Sequence, residues 1–220
     1  MEMTSSDVWV MAHAAQISLA LALCSIAFGT ILAVLLTPLA FARLAIARFA
    51  YRLYVFVVRG TPVLLLALLT FYALASYWGR ISPYAAGVVV LTIYLSALFA
   101  EIFRGGVLAI PNPLWDSSKS LGLSRRSIFW RVVTPLVARY SLPPYLNVCV
   151  MAVKASSVLS IISVWELTFA SREIIERTLD VYRVLAVASV FYFIMCFAID
   201  RVGRWMEGRL AAKGFAGEPA

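Results

Sequence analysis

The stretch from Glu101 to Asn147 reads EIFRGGVLAIPNPLWDSSKSLGLSRRSIFWRVVTPLVARYSLPPYLN and is the longest polar interval in an otherwise apolar chain. It carries six Lys and Arg residues, and between the first and the last of them stands one acid, Asp116. The apolar runs that flank it are too long for ordinary soluble helices. A basic segment of helical pattern between two membrane spans is a candidate docking surface for a partner on the inner side of a membrane.

Composition indicates a membrane protein. Of the 220 residues, 63% are hydrophobic and 14% are charged, whereas soluble domains contain roughly 45–50% apolar and about 25% charged residues. The net charge of +8 could suggest a nucleic-acid partner. In a chain with several membrane spans, however, basic residues collect on the cytoplasmic side, so we expect no nucleic acid and attribute the excess to orientation.

Five apolar runs are long enough to cross a membrane, because a helix of roughly 20 residues spans the hydrocarbon core. They cover about residues 14–42, 53–77, 84–103, 141–164 and 183–199. Proline and glycine in Arg59-Gly60-Thr61-Pro62 predict an elbow near the start of the second run, and Pro143-Pro144 are expected to open the fourth. The sequence therefore predicts an all-α membrane protein with five transmembrane helices and a single domain over residues 1–220.

The placement of basic residues predicts the orientation. With the N-terminus outside, the inner segments hold thirteen Lys and Arg residues and the outer segments hold four. Because cytoplasmic loops carry the excess of Lys and Arg, we expect the N-terminus outside and the C-terminus in the cytoplasm. Residues 104–140, which we call the coupling segment, then lie on the cytoplasmic side.

The coupling segment has the pattern of two short helices joined by a glycine. Asn112 can cap the first helix, and Pro113 suits its first turn. That helix would run to Leu121, where Gly122 supplies the left-handed residue that often ends a helix.

The second short helix is predicted to begin at Ser124, a favourable capping residue. Ile128, Phe129, Val132 and Val133 would form its apolar face. Two interpretations remain open on pattern alone. The pair of helices lies on anionic lipid, as basic amphipathic helices do, or it forms a rigid protrusion that fits a cleft on a partner.

The motifs of this segment and its flanks resemble, in their order, the permease subunits of bacterial ABC importers of the polar amino acid and opine branch. That family has a cytoplasmic EAA loop with an acid and two small residues, then a glycine, then a proline. The matching residues are Asp116-Ser117-Ser118, Leu121-Gly122-Leu123-Ser124 and Val133-Thr134-Pro135, with Arg59-Gly60-Thr61-Pro62, Ala100 to Gly106, Leu142-Pro143 and Lys154 to Val158 around them. The resemblance covers about residues 14–205.

The resemblance implies a type I ABC importer transmembrane domain in the bacterial inner membrane, which translocates a polar amino acid or opine by alternating access. It implies two separate ATPase subunits that hold ATP and Mg²⁺, a second permease subunit, like or unlike this one, and a periplasmic solute-binding protein. No cofactor is expected in this chain. The residues expected to couple to the ATPase are Asp116, Ser117, Ser118, Lys119, Ser120, Leu121, Gly122, Leu123 and Ser124.

The chain departs from the family pattern in four places. Asp116 replaces a glutamate, the two serines after it replace alanines, and Asn112-Pro113-Leu114 stands where the family has a Gly-Gln pair. Ala155 replaces the acid that follows the lysine. Because a short carboxylate and small side chains still fill the same places, we expect coupling to survive.

Lys154 lies in the middle of the fourth apolar run, where a charge costs at least about 2.5–3.5 kcal/mol on insertion scales. It should therefore face protein or a water-filled path. One hypothesis places Lys154, Ser156 and Ser157 along the translocation pathway or its gate. The other gives Lys154 a structural role, paired with a carboxylate of the same or a neighbouring subunit.

Glu101 stands at the inner end of the third run, three residues before Arg104. This spacing places both side chains on one face of a helix. We expect a structural ion pair there.

The sequence contains no G-x-x-x-x-G-K-[ST] phosphate loop, so any ATP hydrolysis is expected in a separate subunit. A single His and dispersed acids form no catalytic or metal-binding pattern, and we expect neither an enzyme active site nor a metal site. Two other classes remain open: a subunit of an ion-gradient-driven transporter or channel, and a membrane-embedded scaffold protein.

Overall fold

The computed structural model describes residues 3–79 and 81–212, and within these ranges it contains helices and no strands. The elements, in chain order, are α1 (Ser5–Leu36), a 3-10 helix (Thr37–Phe41), α2 (Ala45–Gly60), α3 (Val63–Trp78), α4 (Pro83–Leu108), α5 (Asn112–Ser120), α6 (Arg125–Ile128), a π turn (Phe129–Val133), α7 (Thr134–Ala155), a second 3-10 helix (Ser156–Ile162), α8 (Leu167–Thr178) and α9 (Val181–Ala212).

Among the described residues, four helical stretches are long and apolar enough to cross a membrane on their own, and α2 with α3 forms a fifth as a bent pair. The bend between α2 and α3 measures 112°. It falls at Thr61 and Pro62, where Thr61 adopts an extended conformation and proline supplies no backbone donor. The prediction of five spans with an elbow at Arg59-Gly60-Thr61-Pro62 is confirmed when the bent pair counts as one span.

Helix α4 forms the centre of the bundle and packs against α1, α2, α3 and α7. Its Val90, Leu91, Leu95 and Phe99 are fully buried. Gly29 of α1 permits a close approach, because a Cβ atom built there would lie 3.1 Å from Leu95 Cβ. Small residues at such crossings let membrane helices pack tightly where lipid provides no hydrophobic driving force.

The fourth span begins earlier than predicted. Helix α7 starts at Thr134 and continues through Pro143 and Pro144, so the prediction that these prolines open the span is wrong. Pro135 occupies the first turn instead, where a missing backbone donor costs little. Prolines inside a membrane helix are tolerated because neighbouring helices and local adjustments support the freed carbonyl groups.

The first and last spans extend beyond the predicted 14–42 and 183–199, because hydropathy does not register the polar turns at helix ends. Helix α1 already begins at Ser5, and the Thr4 backbone N–H donates to Asp7 Oδ2 at 2.9 Å in its first turn. Helix α9 covers residues 181–212. Helix α1 thus begins before its predicted apolar run, and helix α9 continues past the end of its run.

Candidate functional site

The coupling segment folds as two short helices at an angle set by a single residue. Gly122 adopts a left-handed conformation with φ of 68°, as predicted. Its N–H donates to the Lys119 carbonyl at 2.9 Å, and the Leu123 N–H donates to the Ser118 carbonyl at 3.3 Å. A Cβ atom at Gly122 would meet nothing within 4 Å, so the backbone conformation and not the available space requires glycine.

Of the two helix N-caps predicted in the coupling segment, one is confirmed and the other is wrong. Ser124 caps α6, with its Oγ accepting from the Ser127 N–H at 3.2 Å, which confirms that prediction. The prediction that Asn112 caps α5 is wrong: Pro111 occupies the capping position and Asn112 is the first helical residue. Pro111 is extended, with ψ of 138°, and the next proline, Pro113, needs no hydrogen-bond partner for its nitrogen.

A small apolar core holds the coupling segment together. Ile110, Ile128 and Val133 are buried in it, and Trp115 packs against them. Phe129 does not join this core, because its side chain is 52% exposed. The π turn contains one residue more than an α-helical turn, and this rotates the Phe129 side chain away from the apolar face. The predicted apolar face is therefore wrong for Phe129.

The loop tip, residues 116–124, presents charged and apolar side chains together. Asp116 and Lys119 form an exposed pair at 3.4 Å, which contributes little stability in water. Leu121 is 77% exposed at the tip. Ser118 is buried and donates to the Leu114 carbonyl at 2.6 Å, whereas Ser117 and Ser120 are exposed. A protruding apolar side chain ringed by polar groups is typical of a docking surface.

Glu101 lies in a cluster that joins two helices. Its carboxylate contacts the Arg104 guanidinium and lies 3.6 Å from Arg59 Nη1. The pairing of Glu101 with Arg104 was predicted from spacing, whereas the participation of Arg59 was not. Arg59 lies in the last turn of α2 just before the elbow, so the cluster links the elbow to the C-terminal part of α4.

Lys154 is exposed in this chain, inside a membrane-spanning helix. It lines a cavity of about 670 Å³ between α7 and α9, together with Asn147, Tyr192 and Asp200. The structure does not bring Ser156 to the same face: Ser156 is buried and donates to the Val153 carbonyl at 2.8 Å.

Ser157 also bonds locally, donating to the Lys154 carbonyl at 2.7 Å. Ser156 and Ser157 thus each donate to a carbonyl close by in the chain, whereas Lys154 directs a charged group away from its own helix.

A buried carboxyl group at the start of α8 was not predicted from the sequence. Glu166 is fully buried and caps α8, accepting from the Phe169 N–H at 2.9 Å. Ser18 Oγ and the Tyr192 hydroxyl each donate to its Oε2 at 3.0 Å. Desolvation by burial raises the pKa of Glu166, against the lowering effect of the hydrogen bonds from its backbone and side-chain neighbours. Glu166 thus connects α8 to α1 and α9.

A second contact of α8 joins the start of α1 to the end of α8. Asp7 is buried and pairs with Arg177. Residues 170 positions apart make this contact, so no local pattern announces it. Together with Glu166, the Asp7 pair fixes both ends of α8 against the bundle. Among the described residues, no group of three His, Cys, Asp or Glu side chains could hold a metal ion.

The described residues form a bundle of helices that could cross a membrane, with a compact helical protrusion, the coupling segment. Residues 25–212 match the family described as "Binding-protein-dependent transport system inner membrane component", which is most of the chain. The chain belongs to this family. It is therefore a permease subunit of the bacterial inner membrane, and as such is not itself catalytic.

Curated relatives have similar length and sequence. The chain is 30% identical over 191 residues to the L-cystine transport system permease protein TcyB of Bacillus subtilis (strain 168), covering 86% of this chain and 82% of the relative. It is 33% identical over 167 residues to the glutamine transport system permease protein GlnP of Escherichia coli (strain K12), covering 75% and 76%. It is 32% identical over 203 residues to the octopine transport system permease protein OccM of Rhizobium meliloti, covering 88% and 83%.

Solved structures share the fold. The chain matches "Crystal structure of an amino acid ABC transporter with histidines" with a TM-score of 0.87 at 23% identity, over 95% of this chain and 100% of that chain. It matches an inward-facing structure of the MetNI methionine ABC transporter with a TM-score of 0.73 at 19% identity, over 92% and 98%. These likenesses show that the fold is that of an ABC transporter membrane domain.

Proposed function

We propose that this permease imports a polar amino acid or an opine, with energy from ATP hydrolysed in a separate subunit. The names of the relatives support this substrate class, since they carry cystine, glutamine and octopine. The observation that carries the coupling role is the loop tip. It combines a rigid left-handed turn at Gly122 with the exposed Leu121 side chain.

The proposal places the N-terminus outside and the coupling segment in the cytoplasm. The excess of basic residues on the segments that would then be internal supports this orientation. Helix α4 leads directly into the coupling segment, with only residues 109–111 between α4 and α5. A partner that moves the loop tip would therefore displace α4, the helix at the centre of the bundle.

In this proposal the loop tip sits in a groove of an ATPase subunit that binds ATP and Mg²⁺. The complex contains two ATPase subunits and a second permease, like or unlike this one, and a solute-binding protein delivers the solute from outside. Closure of the ATPases on nucleotide tilts the spans between outward-open and inward-open arrangements. The coupling residues are those of the loop tip, Asp116 to Ser124.

The decisive experiment substitutes Gly122, because the left-handed backbone there disfavours side chains by about 1–2 kcal/mol. Gly122→Val should preserve membrane insertion and complex assembly but uncouple solute-stimulated ATPase activity from uptake in proteoliposomes. Gly122→Asn is the matched control, since asparagine tolerates the left-handed region, and should retain coupling. Full coupling in Gly122→Val would contradict the role of the loop tip, and uptake that needs a proton gradient and no ATPase would contradict the whole proposal.

We also propose that Lys154 lines the translocation pathway. A lysine exposed on the surface of a membrane helix must be covered by water or by another chain, because contact with hydrocarbon is unfavourable. Lys154→Ala should lower the uptake rate while leaving assembly and basal ATPase activity intact. Lys154→Arg keeps the charge and serves as the control. Normal uptake in an assembled Lys154→Ala complex would leave the lysine with a structural role only.

A further inference from the structure

A cavity of about 570 Å³ opens between the 3-10 helix that follows α1, the amphipathic helix α2 and the C-terminal part of α4. It is distinct from the loop tip and from the cavity beside Lys154. In the proposed orientation it lies at the cytoplasmic leaflet of the membrane. Its lining includes charged side chains as well as aromatic and aliphatic ones.

The charged side chains that line the cavity carry a net positive charge. Arg52, Arg59 and Arg104 line it, with Glu101 as the one acid among its lining residues. Glu101 lies between the guanidinium groups of Arg59 and Arg104 and contacts both. Arg52 makes no ion pair within residues 3–79 and 81–212. The cavity therefore holds a net positive charge, and its guanidinium groups retain donors for an anion.

A buried hydroxyl group among the residues that line the cavity lacks a hydrogen-bond partner in the described part of the chain. The Tyr51 side chain lines the cavity and is only 2% exposed, yet its hydroxyl finds no hydrogen-bond partner in the described part of the chain. The charged groups that act on this hydroxyl include Glu101, whose carboxylate is already paired with Arg59 and Arg104 and forms no hydrogen bond with it. Buried hydroxyls are nearly always satisfied, which points to an acceptor supplied by a ligand.

The apolar side chains of the lining decide which anion fits. Phe41, Val55 and Phe56 line the cavity beside the arginines, and the Phe56 side chain is exposed toward the surroundings of the bundle. A free phosphate ion would contact only the charged side chains of the lining. A phospholipid would contact the charged and the apolar side chains, because its phosphate would lie against the arginines while its glycerol and upper acyl chains would lie against the apolar residues.

We propose that this cavity binds an anionic phospholipid of the cytoplasmic leaflet. The phosphate accepts hydrogen bonds from Tyr51 and Arg52, and the Glu101 cluster keeps the neighbouring guanidinium groups in place. Basic cavities between membrane helices on the cytoplasmic side are suited to anionic headgroups. The site requires the proposed orientation, but it does not require that the protein transport any particular solute.

The test is native mass spectrometry of the permease purified in complex with its ATPase after reconstitution with phosphatidylethanolamine and phosphatidylglycerol. The wild type should retain phosphatidylglycerol in preference to phosphatidylethanolamine. Arg52→Gln should weaken this retention about fivefold, the effect of one basic residue near an anionic surface. Arg43→Gln removes the same charge just before α2, at a residue outside the cavity lining, and should change retention little.

Tyr51→Phe separates a ligand from a packing defect. It should reduce phosphatidylglycerol retention, whereas Tyr54→Phe, which removes a hydroxyl already bonded to Ser96, should not. If Arg52→Gln and Arg43→Gln lose phosphatidylglycerol retention equally, the protein is attracted to any anionic surface and the proposal is overturned. Competition by millimolar inorganic phosphate would show a soluble-anion site and overturn it as well. Unchanged phosphatidylglycerol retention in both the Tyr51→Phe variant and the Arg52→Gln variant would also overturn the proposal.

Discussion

Two adjacent glycines at the C-terminal end of α4 allow a matched test of how this helix packs. Gly106 is buried against α7, and a Cβ atom there would lie 2.3 Å from Ser141 Oγ and 3.3 Å from the Val137 carbonyl oxygen. Gly105 is exposed, and a Cβ atom there would meet nothing within 4 Å. The helix propensity gained by replacing glycine with alanine, roughly 1 kcal/mol, applies to both positions and cancels in their comparison.

The difference between Gly106→Ala and Gly105→Ala therefore measures the packing of α4 on α7. Ser141 can rotate away from the new methyl group only by giving up its bond to the Ile102 carbonyl, which measures 3.3 Å. The Val137 carbonyl belongs to the backbone and cannot rotate, so the helices must separate slightly. Overpacking of this kind costs about 1–3 kcal/mol, and we expect Gly106→Ala to be less stable than Gly105→Ala by that amount.

The assay is thermal unfolding of the detergent-purified complex, with the melting temperature of Gly106→Ala several degrees below that of Gly105→Ala. Ser141→Ala removes the hydroxyl and should restore part of the loss in the Gly106→Ala background, which a double-mutant cycle measures as a coupling energy. Equal melting temperatures for the two glycine variants, or no coupling with Ser141, would refute the assigned packing.

Two predictions concern the contacts of α8. Burial raises the pKa of Glu166, so the folded protein holds this proton more readily than the unfolded chain, and the stability contribution is greatest below the ordinary pKa and declines as pH rises above it. Glu166→Gln should flatten this decline in melting temperature as pH rises above the ordinary pKa of a glutamate, whereas Glu176→Gln, on the exposed face of α8, should keep the wild-type profile. Asp7→Asn removes the charge that pairs with Arg177 and should lower the free energy of unfolding by about 1–2 kcal/mol; a high-salt measurement checks the electrostatic part, and an unchanged melting temperature at low salt would contradict it.

Local signals explain which features could be predicted from sequence. Hydropathy identifies the spans, and the glycine and proline around Thr61 identify the elbow, because each acts through its own backbone. Gly122 and Ser124 were predictable for the same reason: a left-handed residue and a helix cap depend on a few neighbouring residues. Pro143 and Pro144 misled the prediction because the rule that proline ends a helix applies best without surrounding helices.

Long-range contacts explain what could not be predicted. Glu166 is bonded by Ser18, which lies 148 positions earlier in the chain, and a single sequence does not indicate which distant residues meet. The sequence shows Glu166 as one acid in an amphipathic segment that looks solvated. Arg59 and Glu101 meet for a similar reason, because the elbow returns the end of α2 to the C-terminal part of α4. The pattern of charges identified the residues but not their partners.

The distribution of polar contacts suggests how the two sides of the bundle differ. At the end of the bundle that carries α8, Glu166 and Asp7 fix α8 to α1 and α9 through buried or half-buried hydrogen bonds. At the end next to the coupling segment, the Glu101 cluster is partly exposed and joins the elbow to α4. Exposed ion pairs rearrange at little cost, whereas buried networks resist change. A displacement of the loop tip should therefore first move the C-terminal end of α4 relative to the elbow, and the contacts of α8 should yield only when α4 moves as a whole.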